Sequence, residues 1–295
     1  PKENLKSDMH RGFDASIMWT DQINDFNYSV GGNITYSRFW DWEQYKPRFS
    51  NSWDEYRNSI WHRVGYVNWG YEAIGRFDSW EQIANYPVDN DRKGNRTVVP
   101  GDIMYKDQNN DGVINYLDER PIGYRVDSTP TLNFGINLSA SWKGFDLAMD
   151  WTGSGMTSWN QCYETARPFQ NDGNSPDEVL KDAWHLSDIW DANSPLIPGK
   201  YPMVRLNTDE TSAYDKSSYW LHNVTYLKLR NLEVGYTFPK TWLNRTGISN
   251  LRLFVSGTNL LTLSNLSVMD PECASDNGLD YPPMRVINIG VNLKF

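Results

Sequence analysis

The segment Asp107-Gln-Asn-Asn-Asp-Gly-Val-Ile-Asn-Tyr-Leu-Asp118 places oxygen-bearing side chains at its first, third and fifth positions, Asp107, Asn109 and Asp111. Gly112 follows where a calcium loop turns sharply, Val113 offers a carbonyl at the seventh place, Asn115 holds the ninth and Asp118 the twelfth. Calcium accepts about six to eight oxygens without strict geometry, so this spacing points to a calcium ion. Asp118 departs from the pattern, because the twelfth place normally supplies a bidentate Glu. No clear pair of helices flanks the loop, so its expected role is to staple a long connection. The alternative is an Asn/Asp/Gly-rich turn that holds no metal.

Few other residues are spaced for chemistry. The four histidines, His10, His62, His185 and His222, are scattered and share no ligand or catalytic motif, so no catalytic residue is assigned and no enzyme is expected. Cys162 and Cys273 both fall in expected loops on the same side of the molecule. A single bridge between them and two unpaired thiols are both compatible with the sequence. The net charge of −9 argues against a nucleic-acid partner.

What positions these residues is a recurrent alternation. In Arg285–Phe295, Ile287, Ile289, Val291, Leu293 and Phe295 share one face, while Asn288, Gly290, Asn292 and Lys294 share the other. The same dyad runs through Phe13–Trp19, Phe26–Tyr36 and Thr131–Trp142. After a tight turn at Lys143-Gly144 it continues through Phe145–Trp151. Leu227 and Leu229 are out of phase with Leu232, Val234, Tyr236 and Phe238, which predicts a bulge near Arg230-Asn231. In Leu251–Val255 the exception is Phe254, on the polar face.

These patterns predict an all-β fold of seven strands at about 11–21, 25–40, 130–142, 144–154, 222–238, 249–261 and 285–295. The long connections are about 41–129, 155–219 and 263–284. Within the second, Ser175 as N-cap, Pro176 in the first turn and Glu178 predict a helix. Mean hydropathy is −0.66 and no long apolar run exists, which excludes transmembrane helices and leaves a transmembrane β-barrel open. The aromatic content of 14% suits membrane-surface girdles or ligand-stacking loops. The chain opens on Pro1 with no initiator Met or export signal, so it is expected to be part of a longer protein.

Taken in order, these stretches resemble one family. They are Arg11-Gly-Phe-Asp14, Pro100-Gly-Asp-Ile-Met-Tyr-Lys-Asp107 with Asn110-Asp-Gly-Val-Ile114, Ile122-Gly123, Trp142-Lys-Gly-Phe-Asp-Leu147, Tyr226-Leu-Lys-Leu-Arg-Asn-Leu-Glu-Val-Gly-Tyr236, and Ile248-Ser-Asn-Leu-Arg-Leu253 with Val255-Ser-Gly-Thr-Asn-Leu260. The chain resembles the C-terminal part of SusC/RagA-type TonB-dependent outer-membrane transporters. The resemblance implies the last seven strands of a 22-stranded antiparallel barrel in the bacterial outer membrane, with the long loops extracellular. It implies import of oligosaccharides or, in some members, peptides, with a SusD-like surface lipoprotein as partner and energy from the TonB complex through an earlier part of the chain. Loop aromatics Trp69, Trp159 and Tyr163 are then candidates for stacking on sugar rings, with packing between loops as the alternative for each. Asn133, Asn137 and Asp150 would line a wet lumen, and the apolar face would meet membrane lipid. A secreted calcium-dependent carbohydrate-binding or hydrolytic β-domain is the competing class.

Overall fold

The computed structural model describes residues 5–45, 48–125, 129–206, 210–244, 247–272 and 277–295. Seven long strands form one antiparallel sheet in chain order: β1 (Lys6–Ile23), β2 (Phe26–Gln44), β3 (Leu132–Trp142), β4 (Phe145–Asn160), β5 (Leu221–Thr237), β6 (Asn250–Ser264) and β7 (Val286–Lys294). An eighth strand of two residues, Arg63–Val64, pairs with Trp40 and Asp41 of β2. It lies along the part of β2 that extends beyond the start of β3. Alternation predicted seven strands, because a two-residue strand has no period to read.

The ladder register aligns the two kinds of residue across the whole sheet. One row runs Trp19–Val30–Leu138–Met149–Leu232–Gly257–Ile287. A neighbouring row runs Ser16–Asn33–Gly135–Thr152–Lys228–Thr262 and points the other way. Every strand therefore contributes to the same apolar face and the same polar face. Among the described residues the apolar face is uncovered: Ile17 is 77% exposed and Ile289 84%.

The phase slip on β5 is resolved as expected. Pairing shifts between Leu229 and Asn231 on both sides: Arg230 is an extra residue against β4, while β6 places Asn259 and Leu260 in the same step, and Leu229 and Leu232 share a face. Phe254 is accommodated on the polar face because Gly235 and Gly290 flank it across the ladder. A Cβ on Gly290 would lie 2.2 Å from the Phe254 ring.

The first hairpin is tighter and β1 is longer than predicted, while the second turn falls at Lys143-Gly144 as expected. The first turn is only Asn24-Asp25, with Asn24 at φ 55°, where the sequence suggested Asp21–Asp25. At the second, Lys143 and Gly144 both have positive φ, 47° and 91°, which matches the right-handed strand twist. β1 begins at Lys6 because the polar stretch before Arg11 still pairs with β2, a ladder that leaves no hydrophobic trace.

The first two long connections fold together into a layer with its own core. It includes Tyr105 and Ile103 from the first and Tyr201, Val179, Tyr214 and Trp220 from the second. Buried polar groups join the two connections. Asn90, fully buried, donates to the Ile103 carbonyl at 3.0 Å and to Ser212 Oγ at 3.2 Å, and accepts the Tyr105 N–H at 3.0 Å. The Tyr105 hydroxyl donates to the Ser212 carbonyl at 2.7 Å. Arg205 pairs with Asp102, whose burial raises its pKa against the pull of that guanidinium. Arg92 pairs with Asp215 at 2.8 Å. Asp91 closes its own turn. Burial alone would raise its pKa, but the Thr97 N–H and hydroxyl and the Lys93 and Asn95 N–H groups outweigh burial and hold the carboxyl at about 2.

The expected helix is shorter and capped differently. It spans Asp177–Lys181, with Pro176 as N-cap and no side-chain cap bond from Ser175. Pro176 sits at ψ 135° and supplies no side-chain acceptor, so Ser175 lies one residue too early to cap.

Two outcomes follow. Asn90→Ala would strand the Ile103 carbonyl and Tyr105 N–H inside the layer at about 2–4 kcal/mol, read as faster hydrogen exchange at Tyr105; unchanged exchange would show that these bonds do not hold the layer. Gly290→Val should destabilise the sheet by about 1–3 kcal/mol through overpacking, and adding Phe254→Ala should recover most of that loss in thermal unfolding. A double variant no better than the single would remove Phe254 as the cause.

Candidate functional site

The polar face of the sheet is a wall of amides and carboxylates already bonded to one another. Asn137 Nδ2 donates to Asp150 Oδ1 at 2.8 Å, and Ser154 Oγ donates to Asn133 Oδ1 at 2.7 Å. Near the hairpin end, Arg252 Nε donates to Asp146 Oδ1 at 3.0 Å and its terminal nitrogen to Glu233 at 2.6 Å. A shallow cavity of about 380 Å³ opens on this wall, lined by Asn33, Asn133, Asn137, Asp150, Arg230 and Glu272. Its rim mixes donors and acceptors, a surface suited to hydroxyl- or amide-rich solutes.

The third long connection folds back over the same face. Leu266 packs on Trp159, Val224 and Tyr226, with Val268 and Met269 beside it. Lys228 is only 1% exposed and donates to Asp270 at 2.7 Å and Glu272 at 2.9 Å. Arg230, the bulge residue, reaches Glu272 at 3.0 Å and Asn259 at 3.1 Å. Glu272 has a lowered pKa: burial opposes this, and bonds from Arg230 and Lys228 outweigh it. This ionic strap was not foreseen, though one signal was available: Lys228 alternates with Leu227 and Leu229 and so had to face inward.

The aromatic candidates occupy different environments. Trp69 is 8% exposed, in edge contact with Tyr56 at 5.2 Å and under the Arg57 guanidinium at 4.5 Å. Trp159 is 3% exposed and stacks on His222 at 5.6 Å. Tyr163 presents its ring, at 53% exposure, from a backbone with φ 49°. Cys162 opens the turn that carries Tyr163, and Cys273 lies outside the described residues, as therefore does any bond between them.

The segment 107–118 closes largely through its own hydrogen bonds. Asp107 accepts the Asn110 N–H at 2.6 Å and the Gly112 N–H at 2.8 Å. Asp111 accepts the Val113 N–H at 2.9 Å and the Asn109 side chain at 2.9 Å, and these bonds lower its pKa. Asn115 donates to the Val113 carbonyl at 3.1 Å. Asp118 is fully buried, and its two oxygens accept the Gln108 and Asn115 N–H groups, each at 2.8 Å. Asp107, like Asp118, thus has both carboxylate oxygens bonded to backbone N–H groups, while Asn109 and Asp111 lie on the exposed side. Among the described residues, no three His, Cys, Asp or Glu side chains form a metal-binding group.

No family model matches the chain. TonB-dependent receptor P3 of Formosa agariphila is 30% identical over 242 residues, covering 76% of this chain and 22% of the relative. TonB-dependent receptor SusC of Bacteroides thetaiotaomicron is 24% identical over 252 residues, covering 79% and 20%. The chain thus spans about a fifth of the length of these curated relatives. Among solved structures, the RagAB peptide transporter matches 99% of this chain and 29% of its own, with a TM-score of 0.65 and 21% identity. The RagAB peptide importer in the 'closed-closed' state matches at a TM-score of 0.65 and 22% identity, covering 99% of this chain and 30% of its own. At that identity the likeness concerns the fold. With the sequence relatives, the two-faced sheet and the ordered motifs all agreeing, the chain belongs to the TonB-dependent receptors of the SusC/RagA type, which are outer-membrane β-barrel proteins, and forms part of one.

Proposed function

We propose that the receptor containing this chain imports oligosaccharides across the bacterial outer membrane, driven through TonB and working with a SusD-like surface lipoprotein, and that the long connections face outward. The observation that supports the reading is the register: it gathers the apolar side chains on one face, suited to lipid, and the polar ones on the other, suited to a lumen. These seven strands would be the last of a 22-stranded barrel, whose closure satisfies the edges of β1 and β7. No covalent step is needed. Wall groups such as Asn133, Asn137 and Asp150 already have partners, so each exchanges a bond with a passing hydroxyl at little net gain, which favours movement over retention. Tyr163 is the exposed ring for stacking; Trp69 and Trp159 support the loops from behind.

A calcium ion belongs to the same proposal. Asp107, Asn109, Asp111, the Val113 carbonyl and Asn115 would supply its oxygens through lone pairs beside the hydrogen bonds that Asp107 and Val113 already accept, with water completing the shell because Asp118 is buried. Its role would be to hold the first long connection against the layer.

The reading is tested by uptake into cells that carry the complete receptor. Labelled oligosaccharide should accumulate only while the membrane is energised and should stop when the receptor is deleted. Accumulation of labelled peptides instead would move the protein to the peptide importers, and a chain that stays soluble without detergent would favour the secreted β-domain. For the metal, calcium should protect the 107–118 segment from proteolysis in the wild type and not in Asp111→Ala, whereas Asp118→Ala should be cleaved with or without it. Protection unaffected by chelation would make the segment a self-closed turn.

A further inference from the structure

We propose that Arg11, Arg38, Trp40, Trp42 and His62 form a binding site for the phosphate of an anionic lipid headgroup, on the lipid side of the β1–β2 hairpin. This rests on the reading of the sheet as a membrane wall. Arg11 and Arg38 stand directly opposite each other in the ladder, a pairing of like charges that is unfavourable by itself. Both fall on the apolar face, one step beyond the stacked pair Phe13 and Tyr36, whose rings are 5.8 Å apart.

Tryptophans hold the two guanidinium groups in place. Arg11 lies 4.8 Å from the Trp42 ring and 5.7 Å from Trp40, and Arg38 lies 5.9 Å from Trp40. His62 stacks on Trp42 at 4.3 Å, adding a ring nitrogen to the same cluster. Among the described residues neither arginine forms an ion pair. The acids of this end alternate away: Asp41 faces inward beside Gly65 and pairs with Lys6 at 3.6 Å, and Asp8 is opposite Asp41 in the ladder.

The height is that of a headgroup. On β1 the apolar face is bounded by charges at Arg11 and Asp21, ten residues apart. At about 3.3 Å per residue and a tilt of about 40°, that separation is roughly 25 Å, the height of a lipid-facing band. Tryptophan and arginine are at home at such a boundary. A tetrahedral dianion between two planar guanidinium forks would cancel the repulsion and accept from both, which a neutral sugar or a zwitterionic headgroup does less well.

The complete receptor, purified in detergent, would be offered equal amounts of phosphatidic acid and phosphatidylcholine, with lipid-bound species read by native mass spectrometry. Wild type should prefer phosphatidic acid, and the double variant Arg11→Gln/Arg38→Gln should bind it about tenfold more weakly while phosphatidylcholine is unchanged. Equal retention by the variant would overturn the site. So would a wild type with no preference, as when a neighbouring strand supplies a carboxylate, or full displacement by equimolar inorganic phosphate, which would mark a free-anion site. Heat-modifiable migration of both proteins, read in parallel, separates the two proposals: an unfolded wild type counts against the membrane reading, and folded proteins with equal lipid binding count against this one alone.

Discussion

Side-chain period and ladder register together form the constraint on which the rest depends. In a strand the side chains alternate, so a slip of one residue between any two neighbours would send a whole set of aliphatic groups to the polar side. Seven strands hold the same phase from Trp19 across to Ile287. Where the sequence itself slips, at Arg230, the backbone absorbs the residue that is extra against β4 as a bulge, because turning Leu227 and Leu229 to the polar face would be worse than losing a ladder bond. The bulge also leaves Arg230 free to leave the ladder plane and reach Glu272.

The same constraint explains why the connections carry so much structure. A sheet with one open apolar face and one polar face has no interior of its own, so hydrophobic burial must come from elsewhere. It comes from the two long connections, whose rings close around Tyr105 and Trp220, and from the third, which lays Leu266 on Trp159. Such a layer contains irregular backbone, so its buried polar groups need side-chain partners. Asn90 and Asp91 serve that need by bonding to main-chain groups.

How much of this was legible follows from which signals are local. Alternation exposed the strands, the Lys143-Gly144 turn and the bulge, since each is written in adjacent residues. The start of β1 at Lys6 was not legible, because beyond the apolar band a strand pairs without any hydrophobic pattern. The fate of Trp69 and Trp159 was hidden for a different reason. Whether an aromatic ring is open or covered depends on partners such as Arg57 and Leu266 that arrive from other parts of the chain. The oxygen spacing of 107–118 was visible, but the commitment of Asp118 to two N–H groups was not.

Under the proposed function, selectivity and passage would fall to different parts of the molecule. On the proposed reading, a wall of groups paired at 2.7 and 2.8 Å would offer a solute many equivalent exchanges and no deep minimum, and so would transmit without choosing. A choice would require groups that gain something on binding, and the exposed Tyr163 ring is the proposed candidate. The strap from Lys228 to Asp270 and Glu272 joins the two, because it fixes the loop beside the cavity through a cation that has no water to fall back on. Breaking it would leave a buried charge unpaired, which makes the folded-in position of that loop the stable one.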